Sequence, residues 1–142
     1  MMTSAVPLVF VIAAILVLGA TGNLFSASPI VIAAQVAAIA LNIWARRSFD
    51  AGTFRVTAAP GGHEVIRRGP YRFIRHPMYA AALLFVWASV LGHVSTFTLA
   101  IGAIVTVIGV LRVFAEERLL REKYPDYIDY ARLTKALVPF IF

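Results

Sequence analysis

Charged residues occur in only two blocks of this 142-residue chain, and this pattern limits its fold more than any other feature. No Asp, Glu, Lys or Arg lies in 1–45 or in 76–111, so the 13 basic and 7 acidic residues all lie in 46–75 and 112–135. Hydrophobic residues make up 61% of the chain, against about 45 to 50% in soluble domains. Long uncharged segments that satisfy their own backbone hydrogen bonds suit a bilayer. We therefore predict an all-α, polytopic membrane protein with one domain over 1–142.

Each uncharged block is long enough for two spans of about 20 residues if a turn divides it. Gly, Asn, Ser and Pro interrupt the first block at 22–29, and Gly, His, Ser and Thr interrupt the second at 92–96. A signal peptide is the competing interpretation of the first run, but a positively charged start is missing, so we favour a retained helix. Four transmembrane helices are predicted, over 5–20, over 30–44, from Pro77 to about Leu91, and from Phe97 onward.

The fourth predicted helix continues beyond the bilayer, because 111–120 contains no helix breaker. Arg112 and Glu116 then stand one turn apart on the same face. Pro125 ends this helix near Tyr124. Three tyrosines that recur every three residues predict a short C-terminal interfacial helix, namely Tyr124, Tyr127 and Tyr130.

Basic residues set the predicted orientation. Seven arginines lie in 46–75 and six Lys or Arg residues follow Leu111, which places both charged blocks on the cytoplasmic side by the positive-inside rule. Both termini and the site between these blocks are then cytoplasmic. The first block is broken often by Gly and Pro, so we expect a basic loop between helices 2 and 3. The net charge of +6 indicates the lipid bilayer as electrostatic partner, and no nucleic acid.

The segment 69–79 concentrates chemically active side chains directly before an uncharged run. Tyr71, His76 and Tyr79 lie near the start of helix 3, whereas Arg112, Glu116 and Glu117 lie near the end of helix 4, so the two groups can converge. Such a pocket suits a polar ligand that carries both cationic and anionic groups. Ordinary interfacial anchoring is the alternative explanation of the same residues. No metal site is expected, since cysteine is absent and the three histidines are scattered.

Several motifs together resemble a known family. They are Gly69-Pro70-Tyr71, Arg75-His76-Pro77-Met78-Tyr79, Glu116-Glu117 with Leu120, Tyr127 and Tyr130, and the ending Val138-Pro139-Phe140-Ile141-Phe142. In this order and spacing the chain resembles the isoprenylcysteine carboxyl methyltransferase and phospholipid methyltransferase family of integral membrane enzymes. The resemblance covers roughly half of the chain.

The resemblance implies S-adenosylmethionine as cofactor at the cytoplasmic ends of the last helices, with a lipophilic acceptor that enters from the membrane. The acceptor classes are a prenylcysteine-like carboxylate, a phospholipid amine or a small lipophilic molecule. The family's cofactor contacts fall on His63, Glu64, Val65, Ile66, Tyr71, His76, Pro77, Met78, Tyr79 and Glu116. To these we add Arg75, which suits the methionine carboxylate together with the N–H groups at the start of helix 3, and Glu117. Arg112, which orients the acceptor in the family, and Glu116 are the predicted catalytic residues.

Two other functional classes stay open on the sequence alone. The chain could be a non-catalytic membrane scaffold or transport subunit, or a nicotinamide-dependent lipid reductase. The absence of a Gly-x-Gly-x-x-Gly fingerprint counts against the reductase, and the absence of a charge in mid-span counts against a transport path.

Overall fold

Helices form the regular structure of the chain in a computed structural model, which describes residues 5–48 and 67–142. The α-helices are α1 (Ala5–Ala20), α2 (Pro29–Arg47), α3 (Pro77–Gly92), α4 (Thr96–Lys123) and α5 (Tyr127–Leu133), and a 3-10 turn spans Gly69–Arg72. Within the described ranges the pairing of extended backbone is limited to one isolated parallel bridge, between Ile74 and Lys135. The prediction of an all-helical fold is confirmed.

Local sequence signals explain where the helices begin and end. Pro29 and Pro77 occupy the first turns of α2 and α3, where a missing N–H leaves no helical acceptor unpaired. Ser95 and Thr98 form a reciprocal capping box at the start of α4. α4 runs without interruption for 28 residues and stops two residues before Pro125. The predicted continuous fourth helix is therefore confirmed.

The helices differ in their ability to cross a bilayer. Among the described residues, α2 with 19 residues and α4 with 28 are long and apolar enough to do so. α1 and α3 have 16 residues each, or about 24 Å at 1.5 Å per residue. Two of the described helices are therefore long and apolar enough to cross a membrane, and the spanning of α1 and α3 stays a prediction. Most of the basic loop between α2 and α3 lies outside the described residues.

α2 and α3 pack against each other in opposite directions. Between the first part of α2 and the last part of α3, the buried Gln35 Nε2 donates a hydrogen bond to Ser89 Oγ at 3.0 Å, and it also donates to the Leu24 carbonyl at 2.7 Å. Gly92 at the end of α3 faces Val31 at the start of α2. This interhelical bond stabilises the pair in an apolar environment, where a lone amide would be costly.

A hydrophobic core joins α1, α3 and α4. Its buried members are Ala14, Leu18, Val86, Val90 and Val105. Leu18 and Val90 lie near the ends of α1 and α3, while Pro7 and Tyr79 lie near their starts and line one groove, so these helices run in the same direction. α4 runs opposite to them. The starts of α1 and α3 therefore meet the end of α4, and we call this the charged end.

Candidate functional site

The Gly69–Arg72 turn fixes Tyr71 beside the end of α2. Gly69 has a φ of +60°, and any side chain there would collide with Ser48 Oγ. Arg68 Nε donates to the Ser48 carbonyl at 2.7 Å. The close approach of Ser48 therefore requires glycine at position 69, which accounts for the first residue of the Gly-Pro-Tyr motif.

The residues after this turn pair with a C-terminal segment, residues 134–142. The Arg75 and His76 N–H groups donate to the carbonyls of Lys135 at 2.7 Å and Ala136 at 3.0 Å, and the Lys135 N–H donates to Phe73 at 3.1 Å. The N–H groups of Arg75 and His76 therefore already have partners, while the binding of a methionine carboxylate at the start of α3 stays a prediction. Sequence reasoning missed this pairing because backbone partners leave no mark on side-chain identity.

His76 lies between the two glutamates of α4. Its Nδ1 is 3.5 Å from Glu116 Oε2 and its Nε2 is 3.4 Å from Glu117 Oε1, with only 5% of the side chain exposed. Burial alone would lower the pKa of His76, but the hydrogen bonds and charges of Glu116 and Glu117 outweigh it and raise the pKa above its ordinary value. The imidazolium form is thereby favoured.

Glu116 connects the start of α3 with the end of α4. Its Oε1 accepts a hydrogen bond from the Tyr79 hydroxyl at 2.8 Å and lies 3.5 Å from Nε of the buried Arg112. The expected approach of Arg112 and Glu116 on one helix face is confirmed, and so is the convergence of the two predicted groups. The Tyr79 hydroxyl and the Arg112 guanidinium therefore both lie next to the Glu116 carboxylate.

Glu117 points instead toward the C-terminal segment. Its Oε1 accepts from Arg75 Nε at 2.6 Å, and Oε2 lies 3.5 Å from Arg121. The same Arg75 guanidinium donates to the carbonyls of Ala131, at 2.9 Å, and Thr134. Arg75 thus ties α4 to α5 and the C-terminal segment, while its cofactor role stays a prediction.

The remaining predicted site residues lie around this cluster. Tyr71 is buried, and burial, followed by the charges of Tyr130 and Glu116, raises its pKa. The Tyr130 hydroxyl donates to the Tyr71 carbonyl at 2.6 Å, and burial raises the pKa of Tyr130 to about 12. Pro77 is fully buried and Met78 is half-buried. The predicted contacts His63, Glu64, Val65 and Ile66 lie outside the described residues.

An apolar groove between α1, α3 and α4 ends at Tyr79. The groove is narrow, with a volume of about 10 Å³, and its wall includes Phe10, Leu83, Ile108 and Gly109. Sequence reasoning missed the contribution of α1, because a uniformly apolar helix does not show which of its faces lines a groove.

The side chains gathered here suit S-adenosylmethionine in their chemistry. Glu116 can accept hydrogen bonds from ribose hydroxyls or an ammonium group. The rings of Tyr71 and Tyr79 can face a sulfonium, and Arg112 supplies a cation close by. These donors, acceptors and rings are the kinds that the implied cofactor requires.

Comparison with known proteins gives one match. The family model described as phospholipid methyltransferase matches residues 28–127. No curated protein and no solved structure matches the chain significantly. The matched range includes α2, α3, α4 and the cluster around Glu116.

Proposed function

Because the chain belongs to the isoprenylcysteine and phospholipid methyltransferase family, we propose that it transfers a methyl group from S-adenosylmethionine to a lipophilic acceptor at the charged end. The proposal rests on the position of Tyr79 between the groove and Glu116. Its ring lines the apolar groove, while its hydroxyl donates to Glu116 at 2.8 Å. One side chain thus joins a site for a lipid chain to a site for a polar donor.

S-adenosylmethionine, when bound, would supply an electrophilic methyl group for an acceptor's lone pair. The protein's task is to align the two partners and exclude water. Glu116 and the rings of Tyr71 and Tyr79 bind the donor. His76, whose two ring nitrogens lie 3.5 and 3.4 Å from carboxylate oxygens of Glu116 and Glu117, holds Glu116 in position.

The acceptor enters along the groove between α1, α3 and α4. Gly109 and Ile108 lie one turn before Arg112 on α4, so a lipid chain in the groove brings its head group toward that guanidinium. Arg112 pairs with the acceptor if the acceptor carries a carboxylate. Prenylcysteine-like carboxylates, phospholipid amines and small lipophilic nucleophiles are the acceptor classes that this arrangement supports. By the positive-inside rule, we place the site on the cytoplasmic side.

Calorimetric titration of the detergent-purified protein tests the donor. We expect saturable binding of S-adenosylmethionine and none of NADPH, and Glu116→Ala is expected to weaken the former. Arg118→Ala is the matched control, since Arg118 lies on the exposed face of the same helix. Binding of NADPH alone would favour the lipid reductase, and binding of neither would remove the methyltransferase proposal.

Transfer of a labelled methyl group tests the acceptor. The purified protein is incubated with methyl-labelled S-adenosylmethionine and, separately, with a prenylcysteine, phosphatidylethanolamine or a long-chain thiol. We expect label in one of the lipid products, and no label with the Arg112→Ala variant if the acceptor carries a carboxylate. Binding of S-adenosylmethionine without any labelled product would indicate a protein that binds the donor but does not transfer its methyl group.

A further inference from the structure

Residues 137–142 form a compact turn beside the candidate site. The Leu137 and Val138 N–H groups donate to the Phe142 carbonyl at 2.7 and 2.8 Å, and the Phe142 N–H donates back to Val138 at 3.1 Å. Phe140 has a φ of 65°, a conformation that a bulky residue rarely adopts. The backbone of this turn is therefore closed on itself, and the side chains of 138–142 point away from the protein core.

The turn exposes apolar side chains in a row. Phe140 is 90% exposed and Ile141 is 78% exposed, and Val138 and Phe142 are also exposed. Side chains this apolar and this exposed require cover by lipid or by another molecule. The first residue of the turn, Leu137, is buried in a cluster with Val113 and attaches the turn to α4.

The position of the turn along the axes of α3 and α4 indicates which environment surrounds it. Leu137 belongs to a cluster with Leu83 and Val110, and Leu83 lies six residues into α3, or about 9 Å from its start. At the same level, α4 exposes Leu111 and Phe114. The turn is thus continuous with the apolar outer surface of the helices and does not lie at the polar tip of the molecule.

Charge around the turn agrees with this position. The charged side chains within 130–142 are Arg132 and Lys135, which come before the turn and are exposed. An apolar tip with a basic flank is the pattern of segments that insert into an anionic membrane interface.

We propose that the turn at 137–142 inserts into the leaflet at the charged end, with lipid acyl chains around Phe140 and Ile141 and lipid phosphates beside Lys135. The inserted turn anchors the C-terminal segment, whose carbonyls hold the N–H groups of Arg75 and His76. It thereby fixes the depth of the candidate site at the membrane boundary. This anchoring role does not depend on methyl transfer.

Site-directed spin labelling of the full chain tests the proposal. The chain has no cysteine, so Phe140→Cys and Ile141→Cys each give a single nitroxide site. The variants are reconstituted in vesicles of phosphatidylcholine and phosphatidylglycerol, and the accessibility of each label to oxygen and to a water-soluble nickel chelate is measured by power saturation. Leu111→Cys on the outer face of α4 and Asp129→Cys on α5 are matched controls, since both native residues are exposed.

We expect oxygen accessibility to exceed nickel accessibility at positions 140 and 141, as at 111, and the reverse at 129. Nickel accessibility at 140 and 141 equal to that at 129 would overturn the proposal. Low accessibility to both reagents would also overturn it, because protein and not lipid would then cover the turn. If the Phe140→Cys variant does not fold, because residue 140 has a positive φ, the accessibility measured for Ile141→Cys tests the proposal.

Discussion

At the scale of single residues, Tyr79 has a role that its neighbours do not share. Its ring belongs to the apolar groove, and its hydroxyl donates to Glu116. The hydroxyl therefore orients a carboxylate at the boundary between lipid and polar donor. Among the described residues, Tyr127 offers a contrast, since its hydroxyl is buried and has no hydrogen-bond partner.

Tyr79→Phe removes one hydrogen bond to a carboxylate without changing the shape of the ring. We expect a loss of about 2 kcal/mol, as for a hydrogen bond to a charged group, which corresponds to about a thirtyfold lower kcat/KM for methyl transfer. Tyr127→Phe is the matched control, and it should leave transfer unchanged and the Tm equal or higher. Equal loss of activity in both variants would contradict a specific role for the hydrogen bond between Tyr79 and Glu116.

His76 makes stability depend on pH. The carboxylates of Glu116 and Glu117 raise its pKa above the ordinary value, which is about 6.5, with Arg75 and Arg112 as nearby cations. A raised folded-state pKa stabilises the fold fully below about pH 6.5, and this contribution is lost as the pH rises through the folded-state pKa. We expect the Tm of the wild-type protein to fall with rising pH relative to that of His76→Gln, as measured by thermal scanning in detergent. Parallel Tm profiles for the two proteins would contradict the assignment.

At the scale of elements, two glycines of α4 meet different neighbours. A side chain at Gly102 would approach the Trp87 ring to 3.2 Å, whereas one at Gly109 would meet Leu83 at 4.0 Å. The first glycine permits the packing of α3 on α4, and the second leaves the groove open.

Alanine substitutions should separate these roles. Gly109→Ala is expected to keep or raise the Tm, because alanine favours a helix by about 1 kcal/mol over glycine, while Gly102→Ala lowers it by crowding Trp87. Gly109→Leu should fill the groove and reduce transfer to a lipophilic acceptor, with binding of S-adenosylmethionine unchanged by calorimetry. Unreduced transfer by Gly109→Leu would exclude the groove as the acceptor's path.

Arg75 joins three elements at the charged end. Its guanidinium donates to Glu117, Ala131 and Thr134, an arrangement that needs the planar fork of arginine. We expect Arg75→Lys to loosen the C-terminal segment and to speed tryptic cleavage after Arg132 and Lys135. Arg118→Lys is the control, since Arg118 pairs with Glu122 only at the exposed surface, and it should leave cleavage after Arg132 and Lys135 unchanged. Cleavage of Arg75→Lys at the wild-type rate would show that backbone pairing alone holds the segment.

At the scale of the whole molecule, both short turns lie at the end opposite to the candidate site. His93 Nε2 is 2.7 Å from the Phe25 carbonyl, which joins the α1–α2 turn to the α3–α4 turn. The two turns therefore lie side by side, and four spans would put them on one side of the membrane and the charged end on the other.

Cysteine labelling in intact cells tests this topology. Single cysteines at Ala27, Val94 and Arg132, all exposed positions, are treated with a membrane-impermeant maleimide. Under the positive-inside rule, the first two should be labelled from outside and the third only after lysis. Labelling of all three from outside, or of Arg132 alone, would contradict four spans with a cytoplasmic site.

The sequence by itself determined the helices and the pair of groups that form the site. Apolar runs, prolines and capping residues act on their near neighbours, so the bounds of α1, α3 and α4 and the pairing of Arg112 with Glu116 could be predicted. The same is true of the convergence of Tyr79 and His76 with Glu116, because consecutive spans bring the ends of a hairpin together.

Only the tertiary structure decided how the adjacent glutamates divide their contacts and what holds His76. Neighbouring residues on a helix point about 100° apart, and the sequence does not say that Glu116 faces Tyr79 while Glu117 faces Arg75. The pairing of 73–76 with 134–136 joins backbone groups about sixty residues apart, and backbone hydrogen bonds do not depend on the side chains that a sequence records. Likewise, one face of α1 completes the groove. Because this helix is apolar on all sides, its sequence does not show which face packs against α3 and α4.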